Sequence, residues 1–293
     1  MKPKLFSGVA TALITPFKEG KVDYDAFEKL VERQIEAGVD ALVFCGTTGE
    51  APTLTDKEKK SIYTFACRTV GKRSKVILGT STNSHNRSME LSGYAAESGA
   101  DALLCVTPYY NKGTQKGIER SYREICSLGA PVILYNIPSR TGVDIKADML
   151  TRLSDEPNIV GVKECAGVGR ISEHRVTFGD RYQLYSGNDS ELLPSLSVGA
   201  DGVVSVLSNL YPRQMRMIWE LFREGKNAEA RRIHSILSGM FSLMFYETNP
   251  APVKYAVSTL SLCENSLRLP LCEIEENLCR KIDKEMKKIE QNI

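Results

Sequence analysis

Lys163 closes the run Ile159-Val160-Gly161-Val162-Lys163-Glu164, and of all the residues in this sequence its type and setting carry the sharpest chemical meaning. Alternation along a strand puts Lys163 on the same side as Gly161, facing an interior where an ammonium is costly unless it is paired or used. Burial disfavours the charged form and lowers a lysine from its ordinary pKa of about 10.4, which supplies the neutral amine that attacks a carbonyl carbon. The plain alternative is an ion pair with Glu50 or Glu164.

Other segments carry groups that could serve such a nucleophile. Gly46-Thr47-Thr48-Gly49-Glu50 is a glycine-flanked loop whose hydroxyls and backbone donors suit an anion, and it reads equally as a turn with a helix cap. Tyr109 and Tyr110 end an apolar run, where paired tyrosines serve packing or an interface as readily as catalysis. Tyr135 lies in register with Ile133 and Ile137, followed by Asn136, Pro138 and Arg140; its phenol is either a proton relay or a satisfied core group. Ser186-Gly187-Asn188-Asp189 gives a glycine turn with Asp189 as a cap, and Gly202, Val204 and Ser205 are candidates for the floor of a site.

These groups need a scaffold that brings them together. Short apolar or β-branched runs begin at Gly8, Ala41, Lys75, Ala102, Pro131, Ile159, Tyr182 and Gly202, which makes eight candidate strands. Their near-continuous hydrophobicity implies burial on both faces, as parallel strands joined by crossover helices require. Between them lie amphipathic stretches: from Asp23 (Phe27, Leu30, Val31, Ile35), from a Thr55/Glu58 capping box (Ile62, Phe65, Ala66), and after Asn86, Thr114, Lys146 and Pro212. The segment Ile171 to Phe178 has the fewest apolar residues for a helix, and Gly167 and Gly169 crowd its start.

Eight strand-helix units in series predict an α/β fold, a (β/α)8 TIM barrel with a C-terminal helical extension, although an open doubly wound sheet shares the same periodicity. Beyond the eighth unit, Ala228 to Glu247, Pro252 to Leu262 and a charged segment from Glu273 read as helices, separated by Asn249-Pro250 and Leu269-Pro270. The expected organisation is a catalytic barrel over residues 1–224 and a helical appendage packed on it over 225–293. Active sites of such barrels lie at the C-terminal ends of the strands, where Lys163, Tyr135, the Thr47-Thr48 loop and the Tyr109-Tyr110 pair would meet.

Composition excludes several classes. The 293 residues are 42% hydrophobic and 25% charged, and the formal charge is only +2, which gives no case for disorder and argues against a nucleic-acid or membrane-surface partner. The eight cysteines are scattered, without a CxxC pair or clustering with the three histidines, so no metal site is expected and a reducing cytoplasm explains them. The amino-terminal apolar run is interrupted by Thr11 and Thr15, and no stretch approaches the roughly 18 apolar residues of a membrane helix.

Taken in order and spacing, the motifs GTTGE, VTPYYN, YNIPSRTG, GVKE and YSGND resemble the dihydrodipicolinate synthase family, within the pyruvate-dependent aldolases that include N-acetylneuraminate lyase. The resemblance runs from about Gly8 to the NPAPVKYA and LRLPL segments. It implies a lyase of lysine and diaminopimelate biosynthesis that condenses pyruvate with aspartate 4-semialdehyde, with no cofactor beyond a covalent Schiff base of pyruvate on Lys163. It further implies a proton relay of Thr47, Tyr135 and a Tyr110 supplied across a dimer interface, within a homotetramer built as a dimer of dimers. Thr48 would hold pyruvate's carboxylate, with Gly187 and Val204 beside the adduct, and Arg140 would receive the carboxylate of the semialdehyde.

Arg140 is also what separates this reading from its enzyme alternative, a pyruvate-dependent lyase for sialic or 2-keto-3-deoxy sugar acids; the non-enzyme alternative is a keto-acid binder on the same barrel. The sequence departs from the family's pattern at Cys165, in KECAG, and at Asn188, where aspartate is frequent. At the cleft where many members take lysine as an inhibitor, the matching positions are Asp56, Lys59 and Arg87. Two cations there oppose the effector's ammonium, so weak or absent inhibition by lysine is expected.

Overall fold

The structure is a computed structural model that describes residues 4–292; residues 1–3 and 293, the outermost of the two expected units, lie outside it. In chain order the elements are β1 (Gly8–Ala12), a hairpin of β2 (Phe17–Lys18) and β3 (Lys21–Val22), α1 (Tyr24–Glu36), β4 (Ala41–Phe44), α2 (Asp56–Val70), β5 (Lys75–Gly79) and α3 (His85–Glu97). There follow β6 (Ala102–Val106), α4 (Gln115–Cys126), β7 (Val132–Asn136), α5 (Pro138–Thr141), α6 (Ala147–Arg152), β8 (Ile159–Glu164), α7 (Val168–Phe178), β9 (Gln183–Ser186) and α8 (Leu192–Ser197). The chain ends with β10 (Gly202–Ser205), α9 (Pro212–Arg223), α10 (Asn227–Leu243), α11 (Ala251–Ser258) and α12 (Glu276–Glu290).

β1 pairs in parallel with both β4 and β10, so the eight long strands close into a barrel and the open-sheet alternative falls. Closure gives each strand two buried faces. Leu42, Phe44, Leu78, Leu103, Leu134 and Val162 point outward and pack under Phe27, Ile62 and Met149 of the surrounding helices. Ala10, Val43, Ile77, Leu104, Ile133 and Val204 fill the interior. At roughly 1.5–3 kcal/mol for each large side chain taken from water, these two concentric cores are the main source of stability.

Helix starts follow the local chemistry. The Asp23 carboxylate accepts from the Ala26 amide at 3.0 Å, and the Thr55/Glu58 box is closed in both directions, at 3.2 and 2.9 Å. Thr114 accepts from the Gly117 amide, and Pro212 stands in the first turn of α9. The sparse segment is a helix that starts one turn earlier than Ile171, because Gly167 at φ +107° lets the chain enter at Val168. α10 and α11 end before the expected Glu247 and Leu262, and α12 starts after Glu273; the freed residues form loops that run back toward the strand ends.

One of those loops and α11 are tied to the barrel mouth by a buried ion pair. Lys254 and Glu50 are both fully buried; Lys254 also donates to the carbonyls of Thr15 and Ser266 at 2.9 Å, and lies 4.4 Å from the Phe17 ring centroid. The second Glu50 oxygen accepts from the Arg268 amide at 3.1 Å, while the Arg268 guanidinium holds Glu58 and the carbonyls of Thr53 and Gly20. Removing one partner strands the other's charge in the interior. Lys254→Ala is expected to cost about 3–5 kcal/mol in urea denaturation, and the Glu50→Gln/Lys254→Met double variant distinctly less than the two singles added.

Candidate active site

β7 and β8 place the central pair. Val132 pairs with Ile159, but Ile133 pairs with Gly161, so Val160 is an extra residue, a bulge at the bottom of β8. Above it the register brings Tyr135 beside Lys163. Had the pairing run on without the bulge, Tyr135 would stand next to Val162 and Lys163 would face the helices, since a slip of one residue reverses faces.

Lys163 is 6% exposed, and its Nζ sits 4.1 Å from the centroid of the Tyr135 ring. Neither proposed carboxylate pairs with it, which corrects the ion-pair alternative. Glu50 is taken by Lys254, and Glu164, on the opposite face of β8, accepts from Asn136 Nδ2 at 2.9 and 3.1 Å and from the Ala166 amide at 2.8 Å. Burial holds the Lys163 amine below its ordinary pKa, opposed by the Cys165 thiol and the Asp189 carboxylate and reinforced by the positive charge of Arg140. Burial likewise pushes the Tyr135 phenol above its usual value, against the Thr47 hydroxyl that hydrogen-bonds to it. The outcome is a lysine biased toward free amine beside a phenol biased toward its neutral form.

Above this pair opens a cavity of about 690 Å³, lined by Thr47, Tyr109, Tyr110, Tyr135 and Arg140 among others. Lys163 is not part of that lining; its amine lies against the ring of Tyr135, which is. Tyr110 stands at the outer rim, 88% exposed, with φ +73°. A larger groove of about 1020 Å³ runs along α1, Tyr211 to Gln214 and Met286, and none of the chemically loaded strand ends reaches it.

The remaining expected residues surround the pair at closer quarters. Gly187 leaves room for the lysine: a Cβ there would stand 3.0 Å from Lys163 Cε and 2.1 Å from Cys165 Sγ. Val204 is 1% exposed in the inner core. Asp189 caps a neighbouring turn in place of its own, accepting from the amides of Val206 and Leu207 at 3.0 and 2.8 Å. Thr48 is buried, and its Oγ accepts from Asn249 Nδ2 at 3.0 Å, while the Asn249 carbonyl accepts from Arg140 Nη2 at 3.3 Å.

Asn249 therefore links the anion loop to the arginine, and sequence reasoning gave it no role. Its only local signal was a place just before Pro250, at the start of NPAPVKYA. Among the described residues no cluster of three or more His, Cys, Asp or Glu side chains is arranged to hold a metal ion, and no helix is long and apolar enough to cross a membrane. All eight cysteines are free thiols.

The sequence pattern of the Dihydrodipicolinate synthetase family matches residues 5–289. A 4-hydroxy-tetrahydrodipicolinate synthase of Magnetococcus marinus is 46% identical over 287 residues, 97% of this chain and 98% of that protein. Among solved structures, the 4-hydroxy-tetrahydrodipicolinate synthase of Methylacidiphilum fumariolicum SolV superposes with a TM-score of 0.96 at 40% identity, covering 98% of this chain and 97% of that one. The enzyme of Cyanidioschyzon merolae, solved with lysine bound, gives 0.95 at 36% identity, covering 98% and 99%.

Behind Lys163, on the helix side of β8, Glu164 and His174 are buried side by side, with His174 Nδ1 3.9 Å from the carboxylate and neither ring nitrogen hydrogen-bonded. Burial pushes Glu164 up from 4.5 to about 7 and His174 down from 6.5 to about 4. The raised carboxyl gives stability that is full below pH 4.5 and fades as the pH climbs toward 7. The depressed imidazole gives stability that is full above pH 6.5 and fades as the pH falls toward 4, so the two slopes oppose each other. Measured by urea denaturation relative to the wild type across this range, His174→Phe should make stability fall more steeply with rising pH and Glu164→Gln should make it rise more steeply; slopes shifted in the same direction by both variants would refute the opposed shifts.

Proposed function

The chain belongs to the dihydrodipicolinate synthetase family, and from that premise we propose that it is a lyase condensing pyruvate with L-aspartate 4-semialdehyde to 4-hydroxy-tetrahydrodipicolinate, by way of a Schiff base on Lys163. The observation that carries this reading is the Lys163 amine, buried, unpaired with any carboxylate, and set 4.1 Å from the Tyr135 ring.

The free amine adds to the keto carbon of pyruvate, and the carbinolamine loses water to give the imine. Loss of a methyl proton turns the imine into an enamine, whose terminal carbon attacks the aldehyde carbon of the second substrate. The amine of the semialdehyde then adds to the imine carbon and displaces Lys163, releasing the cyclic product and restoring the lysine. Each proton passes through Tyr135 to Thr47, whose hydroxyl meets the phenol, and onward through the Tyr110 of a second subunit.

Exposure supports that last role, since a rim tyrosine 88% exposed in one chain is available to a partner. Thr48, held by Asn249, positions the pyruvate carboxylate with Gly187 and Val204 at the adduct, and Arg140 takes the semialdehyde's carboxylate in its planar fork. Arg140 also favours the synthase over a lyase for sugar acids. In this reading residues up to 224 form the catalytic barrel, and the appendage from 225 carries Asn249 into the site. The assembly is a tetramer of paired dimers, at work in the cytoplasm, where the thiols stay reduced.

Pyruvate with borohydride should leave a stable mass increment on Lys163, absent in Lys163→Ala. Intact protein without an adduct would sink the mechanism, whatever the fold.

Regulation follows from the positions that match the family's effector cleft. Arg87 is tied to Asp56 at 2.6 Å, and Lys59 adds a second cation nearby, so an ammonium-bearing effector meets net positive charge. We infer weak or no feedback by lysine. Initial rates should stay unchanged in millimolar lysine at limiting pyruvate, and strong inhibition there would refute the charge argument.

A further inference from the structure

Arg140 stands on α5, a single turn of four residues in which only Thr141 is buried, so packing alone does little to place it. Its two ends are what hold it. Asn136, the last residue of β7, is fully buried, and its side chain reaches across to the far end of the segment that carries the turn. Its Oδ1 accepts from the Ile145 amide at 3.0 Å, and its Nδ2 donates to Asp144 Oδ1 at 2.8 Å. One amide group thus closes residues 137–145 into a loop, and the second proton of Nδ2 goes to Glu164, the neighbour of Lys163 on β8.

Asp144 is braced from the helix layer. Arg170 of α7 grips both of its oxygens, Nη1 to Oδ1 at 3.2 Å and Nη2 to Oδ2 at 3.0 Å, and Nη1 also donates to the Ile145 carbonyl at 3.3 Å. The Asp144 carbonyl accepts from Gln115 Nε2 of α4 at 2.8 Å. A two-point guanidinium contact fixes direction as well as distance. Neither Asp144 nor Arg170 lines the cavity above the catalytic pair.

We propose that Asp144, braced by Arg170, is a positioning residue for the second substrate: given that Arg140 receives the carboxylate of the semialdehyde, Asp144 sets the affinity for that substrate by holding the end of the Arg140 loop, while touching neither substrate. A planar fork meets a carboxylate through two bonds only when its plane and distance are right, and a shift of about 1 Å in such a group can weaken function by about two orders of magnitude. Without the Asp144 carboxylate, the loop loses one of its two bonds to Asn136 and most of its brace from α7. Asn136 still holds Glu164, and β7 and β8 keep the register that sets Tyr135 beside Lys163. The loss should therefore fall on one substrate and spare the other.

Steady-state kinetics of the whole protein, with each substrate varied in turn, test this. Asp144→Ala should raise the KM for the semialdehyde about tenfold, change kcat and the KM for pyruvate by less than about twofold, and leave the borohydride-trapped pyruvate adduct on Lys163 intact. Arg170→Met should raise the same KM about threefold, and Arg170→Lys by less, since an ammonium keeps the charge without the fork. Because Asp144 acts through Arg140, the Asp144→Ala/Arg140→Ala double variant should have a semialdehyde KM no higher than that of Arg140→Ala alone. Losses that add in the double variant, equal rises in both KM values, or an unchanged semialdehyde KM in Asp144→Ala would each overturn the proposal. A normal semialdehyde KM in Arg140→Ala would remove the role given to Arg140 and this proposal with it, whereas a raised one beside an unaltered Asp144→Ala would remove this proposal alone. Should Asp144→Ala fail to fold, Arg170→Met, alone and combined with Arg140→Ala, decides by the same criteria.

Discussion

An amine kept out of water with no carboxylate in ion-pair contact is the constraint around which the rest of this molecule is arranged. Lys163 would be ionised and inert on a surface, and neutralised by a counter-charge in an ordinary core. The barrel supplies a third setting. It is closed on all sides by strands, aromatic where the amine lies against Tyr135, and free of ion-pair partners because Glu50 and Glu164 are engaged elsewhere. The acids that could have paired with the amine are each held elsewhere, Glu50 by Lys254, Glu164 by Asn136, and Asp189 by the amides of Val206 and Leu207.

That division ties the groups at the barrel mouth to parts of the chain far from the strand ends. Glu50 closes the loop that carries Thr47 and Thr48, and through Lys254 and Arg268 it binds that loop to the C-terminal helices and to the β2–β3 hairpin. Asn249 adds a second tie, to the Thr48 hydroxyl and the Arg140 guanidinium. The helices after the barrel thus act on the geometry of the mouth and do more than cover the outside. The free energy they gain by burying Leu278, Ile282 and Ile289 is spent partly on holding hydroxyl and guanidinium in place.

Much of this was legible in the sequence. Lys163, Tyr135, Thr47 and Arg140 each follow a run of strand-forming residues, so their place at strand ends could be read from local pattern alone. Asn249 could not, because its contact with Thr48 joins residues 201 positions apart and an asparagine before proline has many bland uses. The hairpin strands are two residues each, below the length at which periodicity speaks. Gly167 and Gly169 suggest a loop where α7 starts, whereas Gly167 is the residue whose positive-φ backbone admits the helix. The face on which Lys163 lies was read correctly relative to Gly161, but strands buried on both faces show no alternation, so the bulge at Val160 was invisible.

That bulge separates chain length from chemistry. Strand β8 holds one residue more than its partnership with β7 requires, and the slack is taken up at the floor of the barrel, between Ile159 and Gly161. Everything above keeps phase with β7. An insertion or loss at that rung would alter the bottom of the barrel, where packing alone is at stake, and leave the amine and the phenol side by side. An insertion between Gly161 and Lys163 would turn the amine toward the helices with its chemical identity intact. Transplanting this pair onto another barrel would thus require counting residues downward from the lysine, because the distance from the start of the strand carries no information about which way the amine faces.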